Sequence, residues 1–334
     1  MKRRLFIVFI AAAMVLVSSC AKDNTITTNY AAKRYFDSWI KVNYPDAKMT
    51  DLGAYIVDVE KGSGLLVGTE EDNPFIFLNY RSTDLNGKIT AYTDAETARQ
   101  MHEYDRTKYY GPKISYRGSF ALQAGLEDAL KDMRVGGKRI IAIPGWLMVA
   151  DRLATAANYL EKCTGTSALY ELEVTGVTSD IFQFQVDSIE NYLTHRLHKV
   201  DSLVAGLYYV QTCPPTDTTS FKTGDVVKID YTGSLLNGLV FDTSIKDTAK
   251  VHGLDLTRSY GASSVTIGED YTKYALNGGS EGNMINGFAY CLSLMKTGEK
   301  GVVVFTSDWG YGTSSTTSIP AYSPLRFEIE MKGK

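Results

Sequence analysis

"IDYTGSLLNGLVFDTS", residues 229 to 244, reads as a β-hairpin, since an apolar run into Tyr231 and the pair Leu239-Val240 flank Asn237-Gly238. Asn-Gly is a strong hairpin signal because both residues tolerate the positive φ angles of a type I′ turn. Phe241-Asp242 then stands just beyond the returning strand. An aspartate in such a place is commonly a turn former that bonds its own backbone; the other reading is that it belongs to a site.

The same hairpin occurs a second time in the chain. "NYRSTDLNG" from Asn79 matches "DYTGSLLNG" from Asp230, and the surroundings repeat in the same order. "GAYIVDVEKG" at 53 pairs with "GLYYVQTCPP" at 206, and "ETARQMHEYDRTKYYG" at 96 with "DTAKVHGLDLTRSYG" at 247. "GLEDALKDMRVGGKRIIAIP" at 125 pairs with "GFAYCLSLMKTGEKGVVVFT" at 287, and "SALYELEVTG" at 167 with "SPLRFEIEMKG" at 323. Self-similarity of this kind marks one structural unit used twice.

Each unit reads as strand, hairpin, long loop, short helix, strand, loop and final strand. In the second, Leu325, Phe327, Ile329 and Met331 alternate with Arg326, Glu328, Glu330 and Lys332, the period of a half-buried antiparallel strand. Residues 287 to 295 are apolar almost all round, so a short helix there has to be enclosed. A curved antiparallel sheet wrapped around one short helix, an α+β fold, satisfies both demands. A helix precedes each unit, "YAAKRYFDSWIKVNY" from Tyr30 and "IFQFQVDSIENYLTHRLHKV" from Ile181. The expected organisation is a signal segment over 1–19, a tether and helix over 20–50, a first domain over 51–177, a linker helix over 178–205 and a second domain over 206–334.

Lys2, Arg3 and Arg4 followed by an apolar Leu5 to Val17 have the order of a bacterial export signal, too short to span a bilayer as a mature helix. "VSSC" at 17 to 20 resembles the lipobox of bacterial lipoproteins. That resemblance implies lipidation of Cys20 and membrane anchoring in the envelope of a Gram-negative-type bacterium. Ala21 after the cysteine points, by the same resemblance, to the outer membrane. An ordinary secretory signal with an incidental cysteine is the alternative.

A formal charge of −3 without clustered Lys and Arg excludes the usual pattern of a nucleic-acid binder. Cys163, Cys213 and Cys291 form no C-x-x-C pair, which indicates neither a disulfide framework nor a zinc site. Cys291, inside "FAYCLSLM", reads as a small buried hydrophobe. His195 and His198 stand three apart on the linker helix, a spacing that can ligate a metal; without a third ligand they read as solvated or packing histidines.

From "GLYYV" at 206, through "YTG", "NG", "FD" and the helix opening "MINGF", to "YG" at 311, "IP" at 319 and "LRFEIE" at 325, the second domain resembles an FKBP-type peptidyl-prolyl cis-trans isomerase over its whole length. The resemblance implies two tandem FKBP-like domains, rotation of X-Pro amides without a cofactor, proline-containing segments of exported proteins as partners, and susceptibility to the family's macrolide inhibitors. It implies a proline pocket walled by Tyr231, Phe241, Phe288 and Phe327 and edged by Ile285. Phe288 takes the place of the tryptophan common at the pocket floor. Asp242 would set a carboxylate at the rim, while the Ile285 backbone N–H and the Tyr311 hydroxyl would bind substrate carbonyls. Core packing is the competing reading for each aromatic side chain.

Two features depart from the family. "EDYTKYALNGGSEGN", between Gly268 and Met284, stands where the family has a few residues, and is expected beside the pocket mouth, with Tyr271 and Tyr274 either extending the surface or obstructing it. After Asp242 the family's basic residue is missing apart from Lys246, so no charged partner is assigned.

In the first domain Tyr80 keeps the place of Tyr231 and Tyr170 that of Phe327. The Phe-Asp pair falls on Thr90-Ala91 or on Ala91-Tyr92, Gln123 stands for Ile285, Leu126 for Phe288 and Val149 for Tyr311. That domain reads as a degenerate copy serving binding, spacing or dimerisation. A non-catalytic chaperone that holds unfolded segments in the second pocket is the alternative to an isomerase.

Overall fold

A computed structural model describes residues 28–118, 121–198 and 202–334; the export segment and Cys20 lie outside them. The first half runs α1 (Thr28–Asn43), β1 (Lys48–Met49), β2 (Tyr55–Glu60), β3 (Phe75–Thr83), β4 (Ile89–Tyr92), α2 (Ala95–Gln100), β5 (Lys113–Tyr116), α3 (Ala124–Ala129), β6 (Lys138–Ile143), α4 (Ala156–Lys162) and β7 (Ala168–Thr178). The second runs α5 (Ile181–Arg196), β8 (Ser202–Val204), β9 (Leu207–Cys213), β10 (Val226–Leu235), β11 (Val240–Thr243), α6 (Lys246–His252), β12 (Ser263–Thr266), β13 (Ala275–Leu276), α7 (Asn286–Leu294), β14 (Lys300–Phe305) and β15 (Leu325–Gly333).

Each half builds one antiparallel sheet, and the two share a topology. The first has the order β1-β2-β6-β7-β3-β4 with β5 also on β3; the second has β13-β12-β10-β15-β14-β9-β8 with β11 also on β10. Neither closes into a barrel. The fold is α+β, with α3 and α7 each lying in a core of their own. In β15 the residues Leu325, Phe327, Ile329 and Met331 are buried and the intervening ones are more exposed, as the alternation requires.

The hairpin turn differs from its sequence reading. Gly238 has φ of +91°, but Asn237 keeps an ordinary negative φ, so the turn is not type I′. Gly238 N–H donates to Leu235 O and Leu235 N–H to Leu239 O, the pattern of a type I turn closed by a left-handed glycine. Asn237 acts through its side chain instead, Oδ1 accepting the Leu239 N–H at 3.0 Å. The first hairpin repeats the arrangement, with Gly87 at φ of +83° and its N–H on Asp84 O.

The preceding helices are packed parts of the halves they lead into. Phe36 of α1 meets Trp146 edge-on at 5.9 Å inside the first core. On α5, Ile189 and Leu193 pack with Tyr208, Val210, Val302 and Val304 against the second sheet, and Gln185 exchanges hydrogen bonds with Ser307. Helix α5 ends at Arg196, so His198, at φ of +54°, is off the helix and the three-residue spacing does not place it on one helical face with His195. His195 Nδ1 lies 2.8 Å from Asn191 O. Cys163, Cys213 and Cys291 are free thiols, and burial raises the titration of Cys291.

Candidate functional site

Strand β10 supplies Tyr231 and β11 supplies Phe241 and Asp242, and the way the two strands pair decides where those side chains go. Gly233 lies opposite Asp242 and Ser234 opposite Val240, so Phe241 is the extra residue of a β-bulge. A bulge re-aims a side chain, and here the Phe241 ring is turned onto Phe327, edge-on at 5.6 Å. The approach needs a glycine beneath it. A Cβ on Gly233 would stand 2.7 Å from both the Phe241 and the Phe327 rings.

Phe327 of β15 is the hub of the cluster. Its ring centroid lies 4.8 Å from Phe288 and 6.4 Å from Tyr231, and Tyr231 meets Phe288 edge-on at 5.5 Å. Tyr231, Phe288 and Phe327 are buried, while Phe241 and Ile285 are half-buried and Tyr311 is exposed to 44 %. The cluster is therefore an apolar wall with an open polar margin. Ile285 is the residue preceding α7, with extended φ and ψ of −67° and 140°, where a backbone N–H has no intrahelical acceptor.

Asp242 is held from both sides. The Tyr231 hydroxyl donates to Oδ2 at 2.7 Å, and Arg258 Nη2 donates to Oδ1 at 2.5 Å. Arg258 also donates to Thr243 O at 2.6 Å and lies over the Tyr260 ring, 4.8 Å from its centroid. Burial first, then the bond to Asp242 and its charge, raise the Tyr231 phenol above its ordinary value. Burial and the Asp242 charge raise Tyr311 as well, which puts that hydroxyl within the field of the same carboxylate. Both phenols stay protonated donors throughout the neutral range.

The seven residues the sequence singles out are thus brought into one region. Arg258, the charged partner, was not singled out. It stands 16 residues beyond Asp242, on the loop after α6, rather than directly after the acid. The repeat held a signal, because "DLTRSYG" mirrors "DRTKYYG" and sets Arg258 opposite Lys108. Ile319, buried at the edge of the same cluster, was noted within "IP" without a role.

The segment between Gly268 and Met284 folds down onto the domain. β13 adds a short strand to the edge of β12, Tyr274 is buried in the second core, and Tyr271 meets Tyr290 edge-on at 5.2 Å. Tyr290 and Phe288 are two residues apart on α7, hence about 200° apart around its axis. Tyr271 therefore packs against the helix face opposite the aromatic wall, and Tyr274 is part of the core.

The first half keeps the scaffold and changes the contents. Ser82 lies opposite Ala91 and Thr83 opposite Ile89, so the bulge survives with Thr90 in the place of Phe241 and Ala91 in that of Asp242. Of the two placements the sequence left open, the register selects Thr90-Ala91. Ser82 replaces Gly233, and its Oγ lies 2.9 Å from Thr90 Oγ1 where the second half packs two rings. Lys113 Nζ lies 5.8 Å over the Tyr80 ring. Val149 O accepts the Ala124 N–H at 2.7 Å, which fastens the following loop over the start of α3.

An antiparallel sheet wrapped on a short helix thus carries, in one region, an aromatic wall, a fixed carboxylate and a phenol hydroxyl at its margin. Residues 217–332 match the family of FKBP-type peptidyl-prolyl cis-trans isomerases. Over 113 residues the chain is 33 % identical to FK506-binding protein 1A of Aspergillus fumigatus, spanning 34 % of this chain and 80 % of that protein. It is 31 % identical over 112 residues to a peptidyl-prolyl cis-trans isomerase of Schizosaccharomyces pombe, spanning 33 % and 78 %. Among solved structures, the three FKBP domains of wheat FKBP73 align with 86 % of this chain and 98 % of that one, at 15 % identity and a TM-score of 0.30. The chain belongs to the FKBP-type peptidyl-prolyl cis-trans isomerase family.

Proposed function

We propose that the second half, read as the domain 206–334, catalyses cis-trans rotation of X-Pro amides, and that the first, 51–177, is an accessory copy without that activity. The observation that carries the reading is a contrast between aligned positions. Tyr231, Phe241 and Asp242 form a walled, charged margin, whereas their counterparts Tyr80, Thr90 and Ala91 do not.

The chemistry asks little of the protein beyond a shaped environment. Resonance sets a rotational barrier of roughly 18–20 kcal/mol, and the transition state is a twisted amide in which conjugation is lost. No covalent bond is made or broken. The rings of Tyr231, Phe288 and Phe327 exclude water and grip the pyrrolidine, while Phe241 closes the side. The Ile285 N–H and the Tyr311 hydroxyl anchor the flanking carbonyls, so that rotation takes place about a held chain. Asp242, fixed by Tyr231 and Arg258, presents a carboxylate to the twisted amide. A thousandfold acceleration needs only about 4 kcal/mol of preference for the twisted form.

The export pattern over residues 1–19 and the lipobox-like Cys20 support action on exported proteins from a lipid anchor in the envelope. The test is a proline-peptide isomerisation assay on the whole chain and its Phe241→Ala, Asp242→Ala double variant. Loss of catalysis in the variant is expected; full activity in it would end this site assignment, and an inactive parent chain that still holds unfolded protein would favour the chaperone reading.

A further inference from the structure

The segment that joins β14 to β15, residues 306–324, carries Tyr311, within the field of Asp242, and Ile319, buried in the second core. Much of it is exposed, and residues 313–317 have little of their own domain around them. Its bonds within its own domain include Gly312 N–H to Ser307 O, Ser314 N–H to Tyr311 O, Thr316 N–H to Ile319 O, Ile319 N–H to Thr316 Oγ1 and Tyr322 N–H to Gly312 O. Ile319 anchors it in the second core, and the other half of the molecule holds the exposed stretch between. Tyr109 N–H donates to Thr317 O at 2.9 Å, the Ser318 hydroxyl donates to Thr107 O at 2.7 Å, and Tyr322 meets Phe75 edge-on at 5.3 Å. The Tyr109 ring itself packs against the second core.

The same loop also reaches α6. Arg106 Nη2 donates to Lys250 O at 3.2 Å in the last turn of α6, where a cation also complements the helix dipole. Residues 105–112 therefore touch both the β14–β15 loop and α6 of the second half. The equivalent loop of the second half, 255–262, carries Arg258 to Asp242. With Ala91 in place of the acid, the first half has no carboxylate for its loop to hold.

We infer that the 105–112 loop is a clamp for the second site, in which Tyr109 is a positioning residue that sets the loop carrying Tyr311 and Arg106 fastens the clamp to α6. The proposal rests on the isomerase reading above. Open clefts of about 320 and 270 Å³ flank Tyr109 between the two halves. Among the described residues the Tyr109 hydroxyl bonds to Pro112 O at 3.1 Å, within its own loop. Tyr109→Phe therefore keeps the clamp, and Tyr109→Ala loosens it.

The experiment uses the full chain with Tyr109→Ala, Arg106→Ala and Tyr109→Phe, read by proline-peptide kinetics, thermal unfolding and amide hydrogen exchange. Faster exchange at residues 312–322 and a fall in kcat/KM of about 3- to 30-fold, carried mainly by KM, are expected for the alanine variants, with Tm unchanged in Arg106→Ala and lowered in Tyr109→Ala, and with Tyr109→Phe behaving as the parent. Unchanged exchange in that loop overturns the clamp, and so does a loosened loop with undiminished kcat/KM. If the parent chain shows no isomerisation, it is the isomerase reading that fails, and the exchange data still decide whether the clamp exists.

Discussion

The Tyr231 hydroxyl donates to Asp242 Oδ2 at 2.7 Å, joining the aromatic wall to the charged margin through one hydrogen bond between adjacent strands. Asp242 is thereby fixed by its own wall before any substrate arrives. Asp242→Ala should lower kcat/KM by about 10-fold, equivalent to about 1.4 kcal/mol of transition-state stabilisation. Asp242→Asn should lose less, because its amide oxygen still accepts from Tyr231. Folding stability should fall by about 1–3 kcal/mol for Asp242→Ala, because the buried Tyr231 hydroxyl loses its acceptor, whereas the Asp242–Arg258 pair, at 33 % and 45 % exposure, adds little. Protease-coupled kinetics beside urea titration separates the two effects.

Gly233 is the sharpest steric requirement in the site. Gly233→Ala brings a Cβ to within 2.7 Å of two rings and should cost about 1–3 kcal/mol while displacing Phe241. Activity should fall with it. A urea midpoint equal to that of the parent, with undiminished catalysis, would show that the rings yield freely.

Alkaline pH offers a test of Tyr231. Its phenol titrates above the ordinary 10.0 in the folded chain because it is buried and bonded to Asp242. The folded state therefore holds this proton more tightly than the unfolded one. The stability it contributes is complete below about pH 10 and is lost as pH rises through the folded value. Tyr231→Phe should flatten the fall of the urea midpoint above pH 10 and leave the neutral range without a slope from this group. An unaltered alkaline slope would place the proton linkage elsewhere.

Arg117 should govern the first half. It is 1 % exposed, pairs with Glu127, and donates to the carbonyls of Val67, Gly68, Thr69 and Asn73. Arg117→Met leaves a carboxylate and several carbonyls without their donor and should cost about 3–5 kcal/mol. Denaturation followed by the fluorescence of Trp146, in the first core, reports it directly.

The repeat and the α+β class were legible because they rest on short periodicities, and the seven residues that share one region were legible from fixed motif order. Other features depend on geometry that sequence spacing does not encode. Arg258 reaches Asp242 only because the loop after α6 folds back, and the choice of Thr90-Ala91 over Ala91-Tyr92 needs the bulge opposite Ser82. Asn237-Gly238 signals a hairpin correctly, yet a dipeptide does not say whether both residues or one take positive φ. The Gly268 to Met284 segment looked like a rim because of where it enters α7; the burial of Tyr274 and the packing of Tyr271 on Tyr290 direct it to the helix's other face.

The most direct test of the account is the rate of proline-peptide isomerisation by the full chain, compared between Phe241→Ala, Asp242→Ala in the second half and Tyr80→Phe, Tyr170→Phe in the first. Catalysis should be nearly abolished in the former and preserved in the latter. Activity that survives the loss of Phe241 and Asp242, or disappears with the first-half tyrosine hydroxyls, would contradict the assignment of the reaction to the second pocket.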